Sequence, residues 1–168
     1  NANKNTAACG SETYVMGLNK NASNLAVAKS ENAVITLEKD YKQKYDGFDP
    51  NSPEANIVFT LYQNAYLTQS LKFASAVQQQ FEVYAGRYNR GVKQAGFLVL
   101  YKTAMPSVLI ETGFLTNRTE EKYLLTEKGQ NAIASSIFRA FMEYKLDMET
   151  PGAKIPQGSA ENDLNKNI

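Results

Sequence analysis

Two short apolar runs in the second half of the chain constrain its fold more than any other feature. Residues 95–100 (AGFLVL) and 105–110 (MPSVLI) are rich in branched side chains, and a short polar turn separates them. A strand with one solvated face alternates apolar and polar residues, whereas a strand covered on both faces is apolar throughout. The two runs therefore predict buried strands in a largely parallel sheet.

Strand-like and helical patterns alternate around these runs. The other predicted elements are a strand over 12–16, a helix capped by Asn21 or Ser23, a long helix from Ser52 to about residue 86, a helix entered near Thr116 and a final helix from about residue 130 to 144. Strands interleaved with helices indicate the α/β class, with a mostly parallel twisted sheet covered by helices.

The length of 168 residues suits one domain. We assign residues 1–147 to that domain. Residues 148–168 are rich in Pro, Gly, Asn and Lys and have no hydrophobic period, so they predict a flexible tail.

Composition excludes several kinds of function. The chain has no histidine and one cysteine, so it cannot build a Ser/His/Asp triad, a disulfide framework or a standard zinc site from its own residues. A net charge of +1 argues against a nucleic-acid partner, because phosphate binding needs a clustered basic excess. No apolar run approaches the roughly 20 residues of a transmembrane helix.

Glu111 is the strongest candidate for chemistry. It directly follows the apolar residues 108–110 and precedes a turn at residues 112–114. Ligands of open α/β sheets bind beyond the carboxyl ends of the strands, and partial burial there would raise the proton affinity of a carboxylate. The position suits general acid/base catalysis. It also suits a structural glutamate that is satisfied by a backbone amide or a lysine.

Arg90 is a candidate for substrate binding. It belongs to residues 86–91 (GRYNRG), which mix basic and aromatic side chains. Such a segment could hold an anionic ligand, or it could be a solvated connection between a helix and a strand.

The segment from residue 105 to 117, MPSVLIETGFLTN, carries a family resemblance, together with Glu120-Glu121 and Leu124-Leu125 downstream. It resembles the zinc-dependent N-acetylmuramoyl-L-alanine amidases, which cleave bacterial peptidoglycan and have a block of the form P-S-[VI]-L-[VI]-E-[TL]-[GA]-F-[IL]-[ST]-N. Residues 91–100 resemble the strand before that block, and residues 10–15 resemble an earlier strand. The resemblance runs from Asn1 to about residue 145.

The resemblance implies that the zinc ligands lie outside this chain. The family holds one zinc ion with two histidines and a glutamate in its N-terminal half, and the second histidine opens an H-A-[ND]-A motif. Residues 1–3 resemble those that follow it, so we expect the C-terminal portion of a catalytic domain, with a sheet incomplete at its N-terminal side. Asn19 departs from the histidine that relatives often carry, at a position that is no family ligand.

The resemblance also implies a reaction and a setting. Zinc would activate water against the amide between N-acetylmuramic acid and L-alanine, in the periplasm or cell envelope of a bacterium. Glu111 matches the family's catalytic glutamate, which would pass a proton from water to the leaving amine. This chain alone is expected to be inactive.

Residues 30–70 are longer than a minimal amidase needs, which resembles the helical insertion of cell-division amidases. That insertion covers the zinc site until an activator protein removes it. Glu31, Glu38 and Glu54 are candidates to contact the metal, with Glu31 preferred; each could equally be a solvated side chain on a packing helix.

Two other classes of function stay open at this point. One is a non-catalytic peptidoglycan-binding or regulatory module of amidase fold, and the other is an unrelated α/β interaction domain.

Overall fold

A computed structural model describes residues 1–17, 22–45, 52, 66–101 and 103–150. Its elements, in chain order, are β1 (Ser11–Met16), α1 (Ala22–Ala33), a 3₁₀ helix (Val34–Leu37), α2 (Tyr41–Lys44), α3 (Leu67–Val83), β2 (Asn89–Ala95), α4 (Leu98–Tyr101), β3 (Leu109–Glu111), α5 (Arg118–Leu124) and α6 (Glu127–Glu149).

The described strands form one sheet in the order β2-β1-β3. β1 pairs with β2 in parallel, and it pairs with β3 in an antiparallel register that places Glu12 opposite Glu111. Every residue of the central strand β1 is buried. The α/β class and the sheet covered by helices are therefore confirmed.

Helices cover both faces of this sheet. On one face, Tyr14 and Met16 of β1 pack with Ala28 of α1 and with Phe97 and Leu100. On the other face, a second buried cluster joins α3 to α6 and includes Val77, Phe81, Ile133 and Ala140. The side-chain oxygen of Gln78 of α3 accepts from the Thr13 hydroxyl at 2.8 Å, which fixes α3 on the second face. Side chains alternate between the faces of a strand, so Glu12 shares the α1 face with Tyr14.

The predicted strand over residues 95–100 is wrong. The strand is β2, which ends at Ala95, and Leu98–Tyr101 form a helical turn. Phe97 and Leu100 are buried while Val99 is 68% exposed, which is the i, i+3 spacing of a helix. Asn32 of α1 stabilises the departure from the sheet, because it donates to the Gly96 carbonyl and accepts from the Leu98 amide, both at 2.8 Å.

The strand predicted over residues 12–16 and the helix after it are confirmed as β1 and α1. The helix entered near Thr116 is confirmed as α5, which Asn117 caps by accepting from the Thr119 and Glu120 amides. The strand predicted over 105–110 is confined to Leu109–Glu111. The final helix starts three residues earlier than predicted, at Glu127.

Several predictions fall on residues that the structure does not describe. Asn21, the residues from 53 to 65 of the long predicted helix, and most of the predicted tail lie outside the described residues; the described part of the long helix is α3. α6 continues through Glu149, two residues past the predicted domain boundary. None of the described helices is long and apolar enough to cross a membrane.

Candidate active site

Glu111 is the last residue of β3, and it is 9% exposed. Because Glu12 lies directly opposite it in the antiparallel pair, both carboxylates belong to the face of the sheet that α1 covers. The α-ammonium of Asn1 lies 3.3 Å from Oε2 of Glu111 and donates to the Gly113 carbonyl at 3.0 Å.

The pKa of Glu111 is raised above its ordinary value. Burial is the largest cause, and the negative charges of Glu31 and Glu12 add to it. The ammonium of Asn1 opposes the rise through its charge and its hydrogen bond. The site therefore favours the protonated carboxyl more than water does, which suits a group that accepts and returns a proton.

Glu12 is the centre of a charged network beside Glu111. It is 2% exposed. Its Oε2 contacts Nζ of Lys93 and accepts from Nε of Arg90 at 3.2 Å. Its Oε1 accepts from the Tyr14 hydroxyl at 3.1 Å and from the side-chain Nδ2 of Asn1 at 2.9 Å. Two cations, Lys93 and Arg90, thus share the carboxylate of Glu12.

The network shifts two pKa values in opposite directions. Burial would raise the pKa of Glu12, but the hydrogen bond and charge of Lys93, with the bonds from Arg90 and Tyr14, hold that pKa below its usual range. Burial raises the pKa of Tyr14, and the neighbouring charge of Glu12 raises it further. Glu12 is therefore anionic and Tyr14 neutral at physiological pH.

The turn at residues 112–114 fixes the position of Glu111. Glu120 of α5 accepts from the Phe114 amide at 3.3 Å, and Arg87 donates to the Thr112 carbonyl at 3.4 Å. A Cβ at Gly113 would lie 2.9 Å from Oε2 of Glu120 and 3.1 Å from Nη2 of Arg87, so the missing side chain lets both groups approach the turn closely.

The structure brings the predicted site residues to one face of the sheet. Arg90 contacts Glu12, donates to the Cys9 carbonyl at 3.4 Å and lies over the ring of Phe114, with its side chain 29% exposed. Glu31 is exposed on α1, and its charge acts on Glu111.

Of the other two candidates to contact the metal, only Glu38 is described, and it does not join them. Glu38 is exposed and is held by Lys44 and Tyr45, whereas Glu54, like Asn19, lies outside the described residues.

Sequence reasoning missed Glu12 and Lys93, which lie 81 positions apart. One signal was present: Glu12 alternates with Tyr14 and Met16 along the predicted strand, so its carboxylate shares a face with these two large side chains. The Arg87–Glu120 pair had no such signal, because only the packing of α5 brings the two residues together.

The described residues do not make a zinc site. No group of three or more His, Cys, Asp or Glu side chains in the described part of the chain could hold a metal. The chain has no histidine, and the oxygens of Glu12 are already occupied by cations and hydrogen-bond donors.

These observations define an α/β domain in which a buried carboxylate of raised proton affinity ends a strand beside a charged network centred on Glu12. Residues 1–143 match the N-acetylmuramoyl-L-alanine amidase family. The chain belongs to this family.

Curated relatives are bacterial amidases. The chain is 36% identical over 93 residues to the N-acetylmuramoyl-L-alanine amidase AmiC of Escherichia coli O6:H1, which covers 55% of this chain and 22% of AmiC. It is 32% identical over 100 residues to LytC of Bacillus subtilis, which covers 59% of this chain and 19% of LytC. The matched part thus spans less than a quarter of either relative.

Solved amidase structures share the fold. An N-acetylmuramoyl-L-alanine amidase from Clostridium difficile 630 is 25% identical with a TM-score of 0.55, and the match covers 90% of this chain and 55% of that one. The CwlD amidase from Clostridioides difficile, solved in complex with the GerS lipoprotein, is 23% identical with a TM-score of 0.52, over 86% and 50% of the two chains.

Proposed function

We propose that the intact protein hydrolyses the amide bond between N-acetylmuramic acid and the L-alanine of the stem peptide in bacterial peptidoglycan. The observation that carries the proposal is Glu111, a buried carboxylate at a strand end whose pKa is raised. The family match over residues 1–143 supports the substrate class. The protein would act in the periplasm or elsewhere in the cell envelope.

In this proposal Glu111 is the general base and then the general acid. Its carboxylate takes a proton from the water that attacks the amide carbonyl and returns it to the leaving nitrogen of L-alanine. Where a residue precedes Asn1, its amide replaces the ammonium that now lowers the pKa of Glu111. The pKa of Glu111 is then raised by burial and by the negative charges of Glu31 and Glu12, without the opposing charge of the ammonium.

In this proposal a zinc ion, held by ligands that this chain does not supply, would activate the attacking water. The residues described above do not form a zinc site, so the steps assigned to this chain are the proton transfers of Glu111.

Arg90 is proposed to contact an anionic group of the substrate. Its side chain is 29% exposed, and it shares Glu12 with Lys93, so its charge is not fully neutralised. Arg90→Gln in the intact enzyme should raise KM and leave kcat nearly unchanged. An unchanged KM would contradict substrate binding by Arg90 and would leave it only the role of stabilising Glu12.

Product analysis tests the proposed reaction. The intact, zinc-loaded protein should release a free stem peptide with an L-alanine amino terminus from purified muropeptides, as read by mass spectrometry. Cleavage of any other bond would contradict the proposal. Binding to peptidoglycan without cleavage would favour the alternative, a non-catalytic wall-binding or regulatory module.

We also propose that the segment from residue 30 to 70 restrains the site until an activator protein displaces it, with Glu31 as the inhibitory carboxylate. α1 covers the face that carries Glu111, and the charge of Glu31 reaches it. Complex formation between CwlD and the GerS lipoprotein supports a protein partner by analogy.

Glu31→Gln tests the restraint, with Glu38→Gln as the control on the same segment. Glu31→Gln should raise hydrolysis in the absence of an activator. It should also move the acidic limb of the pH–rate profile to lower pH, because removal of a like charge lowers the pKa of Glu111. Equal rates in the two variants would contradict an inhibitory role.

A further inference from the structure

A buried ion pair lies against the turn that follows Glu111. Nη2 of Arg87 lies 2.5 Å from Oε2 of Glu120, and the two side chains are 9% and 8% exposed. Arg87 precedes β2, where Gly86 with a φ of 62° turns the chain after α3. Glu120 belongs to the first turn of α5. The pair therefore joins the segment between α3 and β2 to the first turn of α5, which is far away in sequence.

The same two side chains hold the backbone on both sides of Gly113. Arg87 donates to the Thr112 carbonyl at 3.4 Å, and Glu120 accepts from the Phe114 amide at 3.3 Å. Oε2 of Glu120 also accepts from the Gly10 amide at 3.1 Å, and that residue ends the segment that leads into β1. One ion pair thus connects the turn after Glu111 to residues 1–10.

Other hydrogen bonds connect the same two segments. The Leu115 amide donates to the Asn1 carbonyl at 2.9 Å, and the side-chain amide of Asn117 donates to the Ala8 carbonyl at 3.2 Å. Residues 1–10 are therefore fastened to the β3–α5 connection at several points, and the Arg87–Glu120 pair is one of the buried ones.

Stability alone does not account for such a pair. Replacing a buried ion pair with apolar side chains is often neutral or stabilising, because desolvation offsets the Coulomb attraction. Nε of Arg87 is buried and has no hydrogen-bond partner within the described ranges, which adds to that cost. What the pair supplies is directional bonding to the backbone at Thr112, Phe114 and Gly10.

Resting on the proposed function, we propose that Arg87 and Glu120 are positioning residues for the general base. They hold Glu111 at a fixed place relative to residues 1–10. A displacement of about 1 Å in a catalytic group can lower a rate roughly 100-fold, so this fastening has kinetic consequences.

Glu120→Gln tests the role, and the neighbouring, exposed Glu121→Gln is the matched control. In the intact enzyme, Glu120→Gln should lower kcat per folded molecule at least about tenfold and change KM by less than about twofold. Ile133→Val, in the core between α3 and α6, is the stability control and should leave kcat per folded molecule unchanged.

Amide hydrogen exchange supplies a readout that needs no activity. In the full chain, Glu120→Gln should speed exchange at Phe114 and Gly10 more than at β1, whereas Ile133→Val should not single out those amides. Uniform acceleration in both variants would overturn the positioning role.

Two outcomes separate this inference from the proposed function. If Glu111→Gln abolishes turnover while Glu120→Gln keeps wild-type kcat, the positioning role is wrong and the general base stands. If Glu111→Gln keeps turnover, the proposed function itself fails. Should Glu120→Gln not fold, Gly113→Ala decides, because it keeps both charges but places a Cβ 2.9 Å from Glu120 and 3.1 Å from Arg87. An undiminished kcat in that variant would overturn the inference.

Discussion

Replacing Glu12 by glutamine should cost the fold a large part of its stability. The variant keeps one acceptor for the Tyr14 hydroxyl and the Asn1 amide, but it leaves Lys93 and Arg90 without their anion. The side-chain NH2 group of the glutamine is itself a donor, so it would also face two cationic donors, Lys93 and Arg90.

The burial of each partner sets the size of the effect. Removing one member of a fully buried ion pair costs about 3–5 kcal/mol. The side chains of Lys93 and Arg90 are 22% and 29% exposed, so both can regain part of their hydration. We therefore expect a loss of about 2–3 kcal/mol, which corresponds to a fall in Tm of about 5–10 °C for a chain of this size.

The pH dependence of this loss has a defined sign. The folded-state pKa of Glu12 lies below its unfolded value, so its contribution is complete above the unfolded pKa and disappears as pH falls through the folded one. Thermal unfolding of wild type and variant should thus differ most from about pH 6 to 8 and converge as the pH falls through the lowered pKa of folded Glu12. Glu121→Gln is the exposed control. A loss under about 0.5 kcal/mol, the size of an ordinary surface change, would refute this reasoning.

Three further predictions concern zinc, one glycine and the end of the chain. The chain alone should bind zinc weakly, because carboxylates without imidazole or thiolate partners make a poor zinc site; nanomolar affinity in a competition titration would contradict this. Gly10→Ala should lower stability by about 2 kcal/mol or more, since φ is 97° and the added Cβ would lie 2.2 Å from the Tyr88 carbonyl oxygen, whereas Gly91→Ala, with open space around it, should cost less in the same melt. Removing residues 151–168 should shift Tm by at most about two degrees, because they offer little apolar surface; a larger fall would mean that they pack on the domain.

The sequence predicted the elements whose patterns are long or flanked by clear signals. β1 lies between glycines, and Asn117 supplies a recognisable cap for α5. The prediction for residues 95–100 was wrong because a short apolar run suits a buried strand and a helical turn equally. The two bonds of Asn32 to Gly96 and Leu98 stabilise the helical turn, and they come from a distant part of the sequence. The start of α6 was missed because Thr126 caps it by accepting from Gly129, a residue that breaks the apolar pattern.

In the candidate site, too, some residues could be predicted from a local sequence pattern and others could not. Glu111 could be predicted because one local pattern, an apolar strand ending in a carboxylate, places it. Glu12 acts on Glu111 through a strand register, and Lys93 reaches Glu12 across 81 positions. Which charged residues meet depends on pairing between strands and on helix packing, and a single sequence does not encode either in a local pattern.

Turnover of Glu111→Gln tests the central claim most directly. The variant keeps the size of the side chain and its hydrogen-bonding capacity but removes the proton acceptor. Measured on one preparation of the intact, zinc-loaded enzyme, Tm and bound zinc should match the wild type, while muropeptide cleavage per folded molecule should fall by roughly 100-fold or more. A stable, zinc-loaded variant that cleaves at close to the wild-type rate would contradict the assignment of Glu111 as the general base.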